Sequence, residues 1–524
     1  MQVLEKKERC LAVSNWVDKN IITRFLLSPI SVSFVYGIFL FAYEIFFLRE
    51  IIPAIHPVLI AWTGIVVAYN ALIRKNILSL KGMTFLILFA VAGLVTVVLN
   101  WKAGIFGNVK VWILSLLPIF AFLPVCQTVS KENRKKVLIK VLLGASVVIL
   151  LASLVSLYLY LIRFGGTLRL FGLEHNIGLR LYDPQRPDSG VLLYGIYCDP
   201  NHAAMYAIAF ATYSLVLLLE CRKGLFKAKW QNVLGIVYAS VSLLVNICYF
   251  PLANSRGGWL CLAIACVIVV FLYVYNSPIN KGKLVRSVIS FALAIAITAG
   301  ACGLIIGARA AMAGLSEVVV NAINSSSSTK PPAGNLPSTN PPSTKPSIDN
   351  QLGEDVQWED FEKDNDSFGA GRIELWKDSF KLLVKRPIFG ECPGNNQHYA
   401  ILYGFKNKIA EGKALHNSYL DLLVSYGLVG FVLMIAFWAL CLITVLKKMA
   451  NKKLKTDFSY YIISIAVVMT AGVICFLSCA FINTTAMYYV MLIMAGYLIA
   501  PQETSDELPI VDTKKDASVS SEIK

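Results

Sequence analysis

Residues 254–276 read NSRGGWLCLAIACVIVVFLYVYN, and this stretch decides what kind of protein the chain makes. From Gly257 to Tyr275 no side chain is charged, and a helix needs about 20 such residues to cross the ~30 Å hydrocarbon core of a bilayer. Runs of this kind recur along the sequence. Of the 524 residues, 56% are apolar and 15% charged, whereas soluble domains hold about 45–50% apolar and about 25% charged residues. With a mean hydropathy of +0.63, the chain is not a soluble enzyme, a disordered protein or a secreted disulfide scaffold. The pattern predicts an all-α polytopic membrane protein of about 12 transmembrane helices. Most of the cysteines, Cys126, Cys261 and Cys441 among them, fall in the apolar runs and read as small buried hydrophobes.

Orientation follows from charge, because lysine and arginine in short loops stay on the cytoplasmic side. Working outward from residue 254, one set of connections is basic: Arg74, Lys75 and Lys81; Lys131, Arg134, Lys135, Lys136 and Lys140; Arg222, Lys223, Lys227 and Lys229; Lys281, Lys283 and Arg286; Lys447, Lys448, Lys452, Lys453 and Lys455. The alternate connections are poor in basic residues. Both termini are therefore expected in the cytoplasm, as segments 1–24 and 501–524. Helices one to nine occupy 25–307, with a sixth span opening near 191, and helices ten to twelve occupy 417–500. The net charge of +16 then faces anionic lipid, and no nucleic-acid partner is needed.

This topology leaves residues 308–416 as a large extracytoplasmic loop between helices nine and ten, longer than ordinary connections. Residues 325–346, with Ser325 to Ser328 and the pairs Pro331-Pro332 and Pro341-Pro342, read as a linker without a core. An acidic run from Glu354 to Asp366 follows. Then Ile373, Trp376, Phe380 and Leu383 recur at helical spacing, which predicts an interfacial helix over 371–385 that Arg386-Pro387 ends.

The five histidines, His56, His175, His202, His398 and His416, all map to the external side, while the bilayer midplane is nearly free of ionisable groups. Chemistry is therefore expected at the external surface and not along a midplane ion path. Three clusters stand there. Asn254-Ser255-Arg256-Gly257-Gly258 offers an arginine that either snorkels to lipid headgroups or clamps a lipid-linked phosphate with forked hydrogen bonds. Gly371-Arg372-Ile373-Glu374-Leu375-Trp376 puts an arginine at a helix start, where N–H groups also favour an anion, and Trp376 there could equally be an aromatic anchor. His416-Asn417-Ser418 opens the tenth span; Asn417 and Ser418 suit capping, and the helix dipole keeps a histidine at this point neutral and able to accept a proton. Asp199-Pro200-Asn201-His202 also reads as a helix start. Asp364-Asn365-Asp366 has the spacing of a metal–nucleotide pair but lies in a polar run outside the cell. No zinc spacing, Walker loop or dinucleotide fingerprint occurs.

Taken in order, Asp199-Pro200-Asn201, Ser255-Arg256-Gly257-Gly258, Arg372-Ile373-Glu374-Leu375-Trp376, Pro387-Ile388-Phe389-Gly390, and His416-Asn417-Ser418-Tyr419-Leu420 running into Tyr426-Gly427-Leu428-Val429-Gly430 resemble the O-antigen ligase and polymerase family of bacterial envelope glycan assembly. The resemblance covers about residues 195–435. It implies a multi-pass glycosyltransferase of the bacterial cytoplasmic membrane, which moves a glycan from a polyprenyl diphosphate carrier to an acceptor sugar hydroxyl at the outer membrane face. By carry-over Arg256 and Arg372 bind the diphosphate and His416 is the base. Asn417, Trp376, Arg180 and His398 are supporting candidates. His398 competes with His416, which is preferred because a membrane helix fixes it while His398 falls on a loop. No metal or other cofactor is implied. The implied partners are the lipid-linked donor, a glycan or lipid acceptor, and the bilayer. Polymerisation of an envelope, capsular or O-antigen-like polysaccharide is the preferred reading, ligation of the finished glycan the alternative, and a twelve-helix transporter the competing class.

Overall fold

The structure, a computed structural model, describes residues 20–74, 81–170, 173–181, 191–277, 282–327, 370–450, 457–476, 481 and 485–501. The linker from residue 328 onward, the acidic run, the N-terminal segment through residue 19 and the tail from residue 502 lie outside the described residues. Among those described, eight helices are long and apolar enough to cross a membrane. They are α2 (His56–Leu72, with a tighter lead-in from Ile52), α4 (Ile105–Phe122), α5 (Lys131–Leu161), α6 (Pro200–Arg222), α7 (Lys229–Leu252), α8 (Arg256–Asn276), α9 (Lys283–Ser327) and α12 (Ser418–Ala450). Four shorter apolar helices, α1 (Pro29–Tyr43), α3 (Met83–Leu99), α13 (Phe458–Val473) and α14 (Ala486–Ile499), fall where further spans were expected. Two more, α10 (Ala370–Lys385) and α11 (Asn396–Leu402), lie between α9 and α12.

Hydrogen bonds fix how the helices are arranged end to end. At one end Asp457, just before α13, binds Lys135 of α5 and Lys223 after α6. Ser459 donates to Glu220 at 2.6 Å, and Lys448 of α12 donates to the carbonyl of Leu498 at 2.7 Å. Lys135, Lys223 and Lys448, from three of the basic connections, thus lie on one side of the bundle. At the other end Tyr249 of α7 donates to the Leu193 carbonyl at 3.3 Å, Tyr419 of α12 donates to Ala471 of α13 at 3.0 Å, and Ser316 of α9 donates to Leu161 at 3.2 Å. The starts of α6, α8 and α12 therefore share this second end. Between the two ends the core is aliphatic and aromatic, with Tyr489 of α14 donating to Ser33 of α1 at 2.8 Å.

Two expectations need correction. The chain is not all-α: strands β1 (Gly165–Leu170), β2 (Leu173–Leu181) and β3 (Val191–Gly195) form an antiparallel sheet in the order β1-β2-β3. The apolar run from Val191 cannot be told from a helix by periodicity alone. It is a strand because Pro200 stands at the first position of the next helix, capped by Asp199, so α6 cannot begin earlier. The ninth helix also does not stop at 307. Alanine-rich sequence carries α9 on through Ser327, into the stretch expected to be linker.

α12 is broken. Gly427 sits at φ 65 and ψ −171, which frees the last carbonyls of the first half-helix and the first N–H groups of the second. The segment 387–392 takes up both sets. Glu391 N donates to Val424 O at 3.1 Å and Cys392 N to Ser425 O at 2.9 Å, while Leu428 N donates to Pro387 O at 2.8 Å and Val429 N to Ile388 O at 3.1 Å. Thr96 of α3 donates to Phe389 O at 2.7 Å, and Asn100 donates to Gly390 O at 3.2 Å. Irregular backbone beside a membrane bundle is tolerated only when its polar groups are matched in this way.

Candidate functional site

Three helix starts carry the candidate residues, and each is capped by a side chain. Asp199 accepts from Asn201 N at 2.7 Å and His202 N at 3.2 Å; Ser255 accepts from Gly258 N at 3.3 Å; Asn417 accepts from Tyr419 N at 3.1 Å and Leu420 N at 3.2 Å. The positive ends of three helices thus collect at one end of the bundle, a field that favours an anion. Beside two of the caps the backbone is left-handed, at Asn254 (φ 50) and His416 (φ 48). Such residues are uncommon and mark positions that the surrounding structure must hold.

α10 supplies the hold on His416. Trp376 Nε1 donates to Leu415 O at 3.2 Å, so this ring grips the residue before the histidine and is more than a membrane anchor. On the buried side of α10, Leu375 and Leu382 pack with Ala400, Ile409, Leu415 and Val424, while Ile373, Phe380 and Val384 stay exposed. Arg372 precedes Trp376 by one turn on the same helix face. It accordingly lies close enough to act on His416. The protein around the imidazole, and after it the Arg372 charge, holds the His416 pKa below the usual histidine value, with Asp199 opposing and His202 adding. Both leading causes disfavour imidazolium, so the ring is neutral at pH 7 and can accept a proton.

Arg256 occupies the first position of α8 at the same end and is exposed. Arg180 lies in β2 in register with Leu192. His398 is not on a loop: it stands in α11, exposed, edge-on to Tyr399 with ring centres 5.2 Å apart. Among the described residues, no three His, Cys, Asp or Glu side chains gather closely enough to hold a metal ion.

The sequence reading missed one member. Glu44 and His202 are far apart in the chain, but Cys198 N donates to Glu44 O at 2.9 Å and Phe46 N to Ile196 O at 3.2 Å. This pairing brings Glu44 Oε2 to 3.6 Å from His202 Nδ1. The available signal was a single acid at the end of an otherwise uncharged first span.

Glu391 is the other unexpected group. It is fully buried, both carboxyl oxygens lack a partner among the described residues, and burial pushes its pKa up to about 8 against the opposing charge of Arg386. A folded-state pKa above the unfolded value means that the native state holds the extra proton. This contribution is full below the ordinary carboxyl range and is lost as pH rises toward 8. Melting of the purified protein is expected to fall between pH 5 and pH 8, and Glu391→Gln should flatten that dependence and stabilise the protein at the alkaline end. An unchanged melting profile in the variant would contradict this assignment.

The model of the O-antigen ligase family matches residues 241–435, from the second half of α7 into the broken helix α12, with Arg256, Arg372 and His416 inside the match. An uncharacterized protein of Haemophilus influenzae is 26% identical over 233 residues, 44% of this chain. The aligned part spans 47%, about half, of that relative's length. Residues 241–435, which hold the capped arginine turn, the docked 387–392 segment and the His416 helix, thus form an O-antigen ligase family domain.

Proposed function

We propose that this protein is a multi-pass glycosyltransferase of the bacterial cytoplasmic membrane, taking a glycan from a polyprenyl diphosphate carrier at the external face and passing it to an acceptor hydroxyl. The observation that carries this reading is Arg372 acting on a neutral His416 at a cluster of helix starts, within a domain of the O-antigen ligase family. Arg372 and Arg256 bind the diphosphate and stabilise the charge it gains on leaving. His416 takes the acceptor proton as the acceptor oxygen bonds to the sugar, and the electrons of the broken sugar–phosphate bond stay on the diphosphate. The lysine-rich end of the bundle and both termini face the cytoplasm.

Polymerisation is the reading adopted, and the description of the matching family favours ligation as the second. Incubating purified protein with its polyprenyl diphosphate-linked glycan separates them. Longer lipid-linked chains mean polymerisation, and glycan on another acceptor means ligation. A donor left intact beside every acceptor offered would overturn the proposal.

A further inference from the structure

One acid–imidazole pair at this end of the bundle has no part in that division of labour. Glu44, just beyond α1, faces Nδ1 of His202 at 3.6 Å, with the glutamate side chain 17% and the histidine side chain 35% exposed. The carboxylate is thus set in protein while the ring keeps an open edge. A carboxylate opposite Nδ1 favours the tautomer protonated there and leaves the Nε2 lone pair available. An imidazole oriented in this way is a competent proton acceptor.

The charges divide the site into two sides. Around His202 stand Glu44 at the end of α1, Asp199 at the cap of α6 and Arg49 in the turn after α1. Around His416 stand Arg372 of α10, Asp199 and His202. A proton taken up by His416 therefore meets Arg372 as a like charge, whereas Asp199 acts on both rings and Glu44 stands at 3.6 Å from His202.

We infer that His202, oriented by Glu44, is the second proton carrier of the transfer, receiving from His416 the proton that the acceptor hydroxyl gives up. The inference rests on the function proposed above. The acceptor O–H bond breaks and its proton goes to His416; the acceptor oxygen bonds to the sugar as the sugar–phosphate bond breaks with its electron pair on the diphosphate. The His416 ring proton then passes to Nε2 of His202 and on to water, which restores the neutral base. Glu44 acts only through the His202 ring and is a positioning residue.

The test measures turnover of the full-length protein against pH, from about pH 5 to about pH 9, with polyprenyl diphosphate-linked glycan, alongside donor binding. Glu44→Gln and His202→Gln are expected to lower turnover at saturating substrate about tenfold or more, with donor binding unchanged and the acid limb of the profile displaced. The double variant should be no slower than His202→Gln alone, because Glu44 acts only through that ring. Wild-type turnover and profile in Glu44→Gln, a matching loss of donor binding, or additive losses in the double variant would each overturn the dyad. If the wild-type protein itself transfers nothing, the proposed function fails and the dyad falls with it.

Discussion

Replacing Arg372 by alanine is expected to lower glycan transfer by about 10²–10³-fold while the protein still reaches the membrane in normal amount. Two independent jobs are lost together. The guanidinium no longer offers a forked partner to the departing diphosphate, and the positive charge that helps keep His416 unprotonated is gone. Arg372→Lys should remain well below wild type, since it restores charge without the fork. The residual activity of Arg372→Gln carries a second signature. With one of the two leading causes of His416's lowered proton affinity removed, its acid limb should move to higher pH. His416→Ala should lose transfer by about 10²–10⁴-fold, the usual worth of a general base. Transfer retained at normal protein level in both alanine variants would show that the wrong residues have been assigned.

The second large effect is structural. At Gly427 an added Cβ would lie 2.4 Å from the carbonyl carbon and oxygen of Ile388 and 2.6 Å from Gly390 N, at a φ of +65. At Gly390, φ +71, it would lie 2.5 Å from Gly427 N and from Val424 O. These are backbone atoms that cannot swing aside, and the left-handed φ is itself strained for alanine. Gly427→Ala or Gly390→Ala should therefore separate the 387–392 segment from the broken helix and strand four backbone hydrogen bonds beside the bundle. Losses above about 4 kcal/mol are expected from such a change. Detergent extraction followed by size-exclusion chromatography should recover little monodisperse protein, whereas Gly104→Ala, also at positive φ but with nothing within 4 Å, should be recovered far better. Normal recovery and melting of Gly427→Ala would refute this account of the break.

These effects also show how much the sequence could tell. The apolar runs made the helices legible, and the capping residues Asp199 and Asn417 located two helix starts to within a residue or two, because cap chemistry is local. Pro387-Ile388-Phe389-Gly390 and Tyr426-Gly427-Leu428-Val429-Gly430 were visible as separate motifs. That they bond to each other was not, since the pairing depends on a left-handed glycine inside what reads as continuous helix. The strand at Val191 was hidden because a short apolar run fits either period. Glu44 and His202 meet only because the turn after α1 pairs with the β3–α6 connection, a contact that no periodicity encodes. The strained backbone at His416 and the grip of Trp376 on Leu415 likewise exist only in three dimensions.

The most direct measurement separates binding from chemistry. Purified wild-type protein, Arg256→Ala, Arg372→Ala and His416→Ala are titrated with polyprenyl diphosphate-linked glycan, and each sample is then given acceptor. The account predicts that both arginine variants lose donor binding, whereas His416→Ala binds as wild type does and forms no product. Arginine variants that bind donor as tightly as wild type, or a His416→Ala protein that turns it over, would contradict the claim that two guanidinium groups hold the diphosphate while a neutral imidazole draws off the acceptor proton.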